Sequence, residues 1–228
     1  MSDTAITFSR SPTPSLLDLF CGAGGAAMGY HRAGFGRIVG VDIAPQKHYP
    51  FEFVQADALE YVAEHGREFD VIHASPPCQF GSVLTPAEQK AKHQNLIPVV
   101  RAALELTGKP YVIENVAGSR RHLRSPLKLC GSGFGLGVWR HRYFEISPPL
   151  AVLVSPCNHS GVPVLVSGTP RRKSNPTRRE FSAQQCRDAM DVPWMTRTEM
   201  DDAIPPAYTE FIGKALLEAA ECAQGSAE

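Results

Sequence analysis

The chain has 228 residues, 43% of them hydrophobic, and a formal net charge of zero. That is enough for one generous domain with a real core, or one domain with a small appendage, and the charge total alone argues against a nucleic-acid partner. Six cysteines (Cys21, Cys78, Cys130, Cys157, Cys186 and Cys222) lack paired spacing, and no stretch is long enough to cross a membrane, so a soluble protein of a reducing cytoplasm is expected rather than a disulfide framework.

Met1 to Pro14 is polar and reads as a loose tail. Leu16 to Phe20 is an apolar run that predicts the first strand, and Cys21 to Ala27 is a glycine-rich turn leading into a helix that ends near Ala33. Glycines admit a ligand close to the backbone, and the helix N-terminus adds a positive dipole end. Gly22, Gly24 and Ala27 satisfy the loose dinucleotide fingerprint, which fits a plain strand-to-helix turn equally well. A second strand, Arg37 to Val41, ends in Asp42, an acid placed to accept from ribose hydroxyls. A third, Phe51 to Gln55, leads to Asp57 and a helix near Leu59 to Glu64. Asp57 is either a helix N-cap or an acceptor for an adenine amino group. Glycine-rich, acidic and acidic strand tips in succession describe a pocket for an adenosine-containing cofactor. NAD and S-adenosylmethionine both fit that description.

Phe69 to Ala74 predicts a buried fourth strand, stopped by Pro76 and Pro77. Cys78 follows at once. A thiol just past the C-terminal end of a strand lies where open α/β sheets place their ligands; the competing reading is an ordinary buried cysteine. Phe80 to Asn95 has no periodicity and predicts a lid-like loop. Leu96 to Leu106 is a helix closed by Gly108 and Pro110, and Tyr111 to Ile113 is a fifth strand tipped by Glu114-Asn115-Val116. Neighbouring parallel tips would bring Cys78 and Glu114 into one crevice.

From Gly118 to Arg179 there are eleven Lys/Arg and a single acid, Glu145, so this segment carries +10 and the remainder −10. One basic face is therefore expected, with a phosphate backbone as its partner. Leu127 to Leu129 and Tyr143 to Ile146 predict strands around a glycine-rich turn, Cys130 to Gly137. Arg140 and Arg142 alternate with His141, so on a strand both face one side. Pro148 to Phe181 is a small irregular insertion. Cys157 and His159 lie within it, but two ligands with no partner pair are a poor zinc signature, and no metal is expected. Helices are predicted at Ala183 to Met190 and Glu210 to Cys222.

Taken together, Asp18-Leu19-Phe20-Cys21-Gly22-Ala23-Gly24-Gly25, Ser75-Pro76-Pro77-Cys78-Gln79, Glu114-Asn115-Val116, Arg140-His141-Arg142 and the closing run Ala203 to Gly213 resemble, in order, the motifs of DNA cytosine-5 methyltransferases, especially compact phage-type members. The resemblance covers roughly residues 15 to 146 and 176 to 215. It implies an α/β fold, the Rossmann-like, mostly parallel sheet of S-adenosylmethionine-dependent methyltransferases with helices on both faces, plus a very small target-recognition insertion. The implied organisation is a tail (1–14), a catalytic and cofactor-binding domain (15–146), a reduced target-recognition region (147–180) and a C-terminal segment packing back on the catalytic domain (181–228).

The resemblance further implies S-adenosylmethionine as cofactor and double-stranded DNA as substrate. Cys78 would attack C6 of a flipped-out cytosine, Glu114 would hold or protonate N3, and Arg140 and Arg142 would place positive charge near base and thiolate. Phe20, Cys21, Gly22, Ala23, Gly24, Gly25, Asp42, Ile43, Asp57, Ala58 and Pro77 would line the cofactor site, with Asp202, Ala203 and Ile204 closing over it. Gln79, Ser82, Arg120, Arg121, Arg171, Arg172, Lys173, Arg178 and Arg179 would contact DNA. Three departures stand out: Val138 replaces a frequent Gln, the Asp42–Asp57 segment is short, and the recognition region has only about 34 residues. So small a region implies a short or degenerate target, or a protein partner, on an otherwise monomeric enzyme. Competing readings are RNA methylation, for which the RNA branch's Cys-Phe-Thr tripeptide is missing; a free cytosine nucleotide or modified sulfonium donor; a catalytically idle DNA-binding module; and an NAD dehydrogenase, which leaves the Pro-Pro-Cys and Glu-Asn-Val tips unexplained.

Overall fold

The structure is a computed structural model and describes residues 13–77, 94–166 and 181–225, with side chains to 222. Its described strands are β1 (Leu16–Leu19), β2 (Ile38–Asp42), β3 (Glu52–Gln55), β4 (Val71–Ala74), β5 (Tyr111–Asn115), β6 (Leu127–Leu129) and β7 (Arg142–Ser147). They form one sheet in the order β3-β2-β1-β4-β5-β7-β6. β1 to β5 run parallel, whereas β7 is antiparallel to both β5 and β6. The helices are α1 (Gly25–Ala33), α2 (Ala58–His65), α3 (Ile97–Thr107), α4 (Ala183–Met190), α5 (Glu199–Asp202) and α6 (Pro206–Gly225). This is the expected mostly parallel α/β architecture.

The strands alternate between two buried faces, as a covered parallel sheet requires. Leu16, Val71 and Val112 pack with Tyr30 of α1 and Tyr208, Ile212 and Leu216 of α6. Leu17, Ile72 and Ile113 pack on the other side with Val62 of α2 and Val100 and Leu104 of α3. Gly29 lets α1 and α6 approach closely: a Cβ there would run into Thr209 Oγ1 and Pro206 O. α6 begins at Pro206, four residues before the apolar periodicity predicts, because proline suits the first helical turn, where its missing N–H has no partner to lose. The four-residue α5 is too short to leave a periodic signal. No helix among the described residues is long and apolar enough to cross a membrane.

Strand order reverses between β1 and β4, and open α/β sheets form their crevice at such a point. The register aligns Val41, Leu19, Ala74 and Ile113 in one rung across β2, β1, β4 and β5. One step further lie Asp42, Phe20, Ser75 and Glu114, and all four face the same cavity. Within the basic segment Glu145 is buried and taken by Arg101 of α3, whose Nε and Nη2 donate to it at 2.7 and 2.6 Å. The one acid of that segment therefore does not offset its surface charge.

Candidate active site

The cavity has a volume of about 280 Å³. Phe20, Cys21, Gly22, Ala23 and Gly25 form its floor from the turn after β1. Phe20 and Gly22 both hold positive φ (56° and 49°), which lets the chain turn tightly there. Asp42 fixes this turn: its Oδ2 accepts from Gly22 N at 3.1 Å and its Oδ1 from Ala44 N at 3.0 Å. Trp194 Nε1 donates to Ala23 O at 2.8 Å and braces the turn from the C-terminal segment. Ile43, Ala203 and Ile204 complete this side of the cavity.

The opposite wall is chemical. Ser75, Pro76 and Pro77 line it from β4, Glu114 and Val116 from β5, and Arg142 from the start of β7. Glu114 is 6% exposed. Burial raises its carboxyl above the usual carboxylate range, against the opposing pull of Arg142, Arg140 and a hydrogen bond with Ser75. Arg142 Nε lies 2.8 Å from Glu114 Oε1, close enough for an ion pair, although the N–H is not aligned for a hydrogen bond. A polar chain runs behind this wall: Tyr30 Oη is 3.1 Å from His73 Nδ1, and His73 Nε2 is 3.0 Å from Ser75 Oγ. Burial pushes His73 down to about 3. Asn115 Nδ2 donates to Pro76 O at 2.9 Å and ties the tip of β5 to the proline turn.

The fold thus brings together most of the candidate catalytic and cofactor-binding residues singled out from sequence and none of the candidate DNA contacts. Asp57 and Ala58 lie outside the cavity lining; Asp57 caps α2, accepting from Leu59 N and Glu60 N at 2.8 and 3.1 Å. Gly24 and Arg140 are also outside it. Arg140 Nη2 donates to Asp201 O, and Tyr208 Oη donates to Arg140 O at 2.6 Å. Arg120 and Arg121 are exposed in the short helical turn 117–122 after β5, with Arg120 over the Tyr143 ring. Cys78, Gln79, Ser82, Arg171, Arg172, Lys173, Arg178 and Arg179 lie outside the described residues, as does most of the predicted lid.

Sequence reasoning missed Asp18, Gln46 and Glu199, which also line the cavity. Asp18 had a signal: a carboxylate inside the apolar run Leu16 to Phe20. It is 1% exposed, takes a 3.3 Å hydrogen bond from Tyr49 Oη, and burial raises its carboxyl well above the ordinary range. Its Oδ1 has no hydrogen-bond partner among the described residues.

Residues 15–127 match the family described as C-5 cytosine-specific DNA methylase. The Type II methyltransferase M.XorII of Xanthomonas oryzae pv. oryzae is 34% identical over 121 residues, covering 46% of this chain and 28% of the relative. M.AgeI of Thalassovita gelatinovora is 32% identical over 118 residues, covering 45% and 28%. The match therefore spans under a third of these relatives' length. The crystal structure of S. pombe Dnmt2 methyltransferase aligns with a TM-score of 0.58 at 14% identity, covering 90% of this chain and 98% of that one, which shows a shared fold. With the Gly-turn, Pro-Pro and Glu-Asn-Val tips gathered round one cavity, residues 15–127 form a region of the C-5 cytosine-specific DNA methylase family.

Proposed function

We propose that this protein is a DNA (cytosine-5) methyltransferase with S-adenosylmethionine as methyl donor and double-stranded DNA as substrate. The observation that carries the reading is Glu114: a buried carboxyl held up toward its neutral form, facing Arg142, in the cavity that the glycine turn also lines.

The residues present fit the donor. Asp18 Oδ1, buried and without a hydrogen-bond partner among the described residues, offers an acceptor to its α-ammonium, and the Gly22 turn, Asp42, Ile43, Ala203 and Ile204 would enclose the rest. When bound, S-adenosylmethionine supplies an electrophilic methyl group on a sulfonium. Cys78 is the next residue in the chain after Pro77, which lines the same cavity, and in this reading it is the nucleophile. A free thiol, pKa ~8.5, is mostly protonated at neutral pH, and Arg142 favours the thiolate. The thiolate attacks C6 of the flipped cytosine, while Glu114 donates its proton toward N3 so that the ring gains no net negative charge. C5 becomes nucleophilic and would take the methyl group that the sulfonium supplies, the donor leaving as a neutral thioether. Loss of the C5 proton to solvent breaks the C6–S bond and returns Cys78 as its thiolate, Glu114 recovers its proton from N3, and aromaticity returns.

Arg120 and Arg121, exposed just beyond the Glu114 tip, would engage phosphates beside the crevice mouth, with the remaining basic residues extending that face. The small recognition region (147–180) favours a short or degenerate target or a protein partner. A restriction-modification role and a monomeric state complete the reading.

The test is methyl transfer from labelled S-adenosylmethionine to unmethylated duplex DNA, wild type beside Cys78→Ala, with the product mapped by bisulfite sequencing. Label at cytosine C5 that disappears in the variant is the expected result. Folded protein that binds the donor yet labels no DNA would overturn it.

A further inference from the structure

The sequence shows Cys157 and His159 as two ligands with no partner pair; the fold supplies one. β6 and β7 pair antiparallel with Leu129 opposite Arg142. The next positions along that ladder, Cys130 and His141, are therefore drawn together although ten residues lie between them. Residues 148–166 carry no helix or strand, and they bring Cys157 and His159 against this ladder end. Cys130 Sγ lies 3.3 Å from His159 Nε2, and Cys157 Sγ lies 3.5 Å from His141 Nε2. One ligand atom from each of the four residues lies within 4.8 Å of all the others.

We propose that Cys130, His141, Cys157 and His159 form a structural zinc site. Tetrahedral Zn²⁺ with Zn–S about 2.3 Å and Zn–N about 2.0–2.1 Å puts sulfur and nitrogen ligands about 3.6 Å apart. The two S···N separations match that edge. Two thiolates and two imidazoles are a closed ligand set of the kind structural zinc takes, and neither cysteine is in a disulfide. The surroundings orient the ligands. The His159 ring stacks on Trp139 with centroids 4.4 Å apart and planes at 16°. Ser132 Oγ is 3.2 Å from Cys130 Sγ, where it can donate to a thiolate, and it accepts from Asn158 N at 3.1 Å. As a thiol, Cys130 donates to Trp139 O at 3.1 Å, a bond that gives way when the thiolate takes the ion.

The ion would fasten a segment without regular structure to the stretch of chain that carries Arg140 and opens β7 at Arg142. His141 is the residue between those two arginines, so the clamp and the catalytic wall share one stretch of backbone. Zinc content does not depend on the methyltransferase reading: the site can be present or absent whether or not the protein methylates DNA.

The experiment is metal analysis of full-length protein, made with zinc supplied and purified under reducing conditions without chelator, beside Cys157→Ser and the double variant Cys157→Ser/His159→Ala. One zinc per chain is expected, falling to near zero in the double variant. Replacement with Co²⁺ should give the absorption of a tetrahedral thiolate–cobalt centre, weakened in Cys157→Ser. Removing zinc with a chelator should lower the melting temperature of wild type and leave the double variant unmoved, which separates metal loss from poor folding. Wild type without zinc that also fails to take Co²⁺ overturns the proposal. So does zinc retained in full by the double variant, or a Cys130–Cys157 disulfide found by mass spectrometry in the isolated protein.

Discussion

Asn115 Nδ2 donates to Pro76 O across the tips of β5 and β4, at 2.9 Å and with Asn115 1% exposed. This bond joins the strand that carries Glu114 to the turn that delivers Cys78, and so couples the positions of the proposed acid and nucleophile. Losing it leaves a buried carbonyl without its donor, at a cost of about 1–3 kcal/mol. Asn115→Ala should lower the melting temperature by a few degrees. Because misplacement of reacting groups slows chemistry steeply, it should also cut kcat for methyl transfer by about tenfold to a hundredfold, with little change in donor KM. Asn115→Asp, which cannot donate, should behave alike in steady-state assays; a variant with unchanged kcat would free the two tips from this link.

Glu114 gives a pH signature. Its folded carboxyl titrates above the ordinary 4.5, chiefly through burial, so between these two values the native state holds the proton more tightly than the unfolded chain. Stability from this group is present below about pH 4.5 and is lost as pH rises through the raised value. Glu114→Gln should therefore gain on wild type in chemical-denaturation stability as pH climbs from 4.5, by at most about 1.4 kcal/mol per pH unit within the window. Its methyl transfer should collapse at every pH. Wild-type activity should fall on the alkaline side as Glu114 loses the proton it gives to N3.

The strand tips were legible because each apolar run gives way at once to residues with their own chemistry: Cys21-Gly22 after Leu16 to Phe20, Asp42 after Val41, Ser75-Pro76-Pro77 after Ala74, Glu114 after Ile113. Such punctuation survives in a single sequence. Partnership between distant residues does not. Asp57 had two readings of equal sense, and only the 2.8 Å bond from Leu59 N shows its carboxylate engaged as a cap. Glu199 reaches the cavity from a helix of four residues, too short for any period. The Cys130–His141 pair depends on strand register, which spacing rules for zinc ligands do not include.

Close approach of α1 and α6 positions the donor side of the cavity, since Ala203 and Ile204 lie just ahead of α6. Gly29→Ala places a methyl group against Thr209 Oγ1 and Pro206 O, with Thr209 already bonded to Ala26 O at 2.8 Å. Forced separation of two packed helices costs about 1–3 kcal/mol. The variant should melt several degrees lower, and isothermal titration should show weaker donor binding. Gly34→Ala, whose nearest new contact is Leu217 Cδ1 at 3.5 Å, is the contrasting case: its cost comes from a φ of 119°, not from the helix interface, so donor affinity should hold.

His73 predicts acid sensitivity of a definite sign. It is fully buried on β4, between Tyr30 and Ser75, and burial lowers it from 6.5 to about 3. The unfolded chain therefore binds a proton that the native state refuses, and stability falls as pH drops from 6.5 toward 3, by about 1.4 kcal/mol per unit. Above pH 6.5 both states hold the imidazole neutral and the slope vanishes. His73→Gln keeps a side chain able to donate and accept, but cannot take up that proton. Its denaturation free energy should vary less with pH between 6 and 4 than that of wild type, even if it is lower at pH 7 through imperfect bonds to Tyr30 and Ser75. Equal slopes in the two proteins would mean that His73 charges inside the fold, and the buried chain from Tyr30 to Ser75 would then be able to carry a proton toward Glu114.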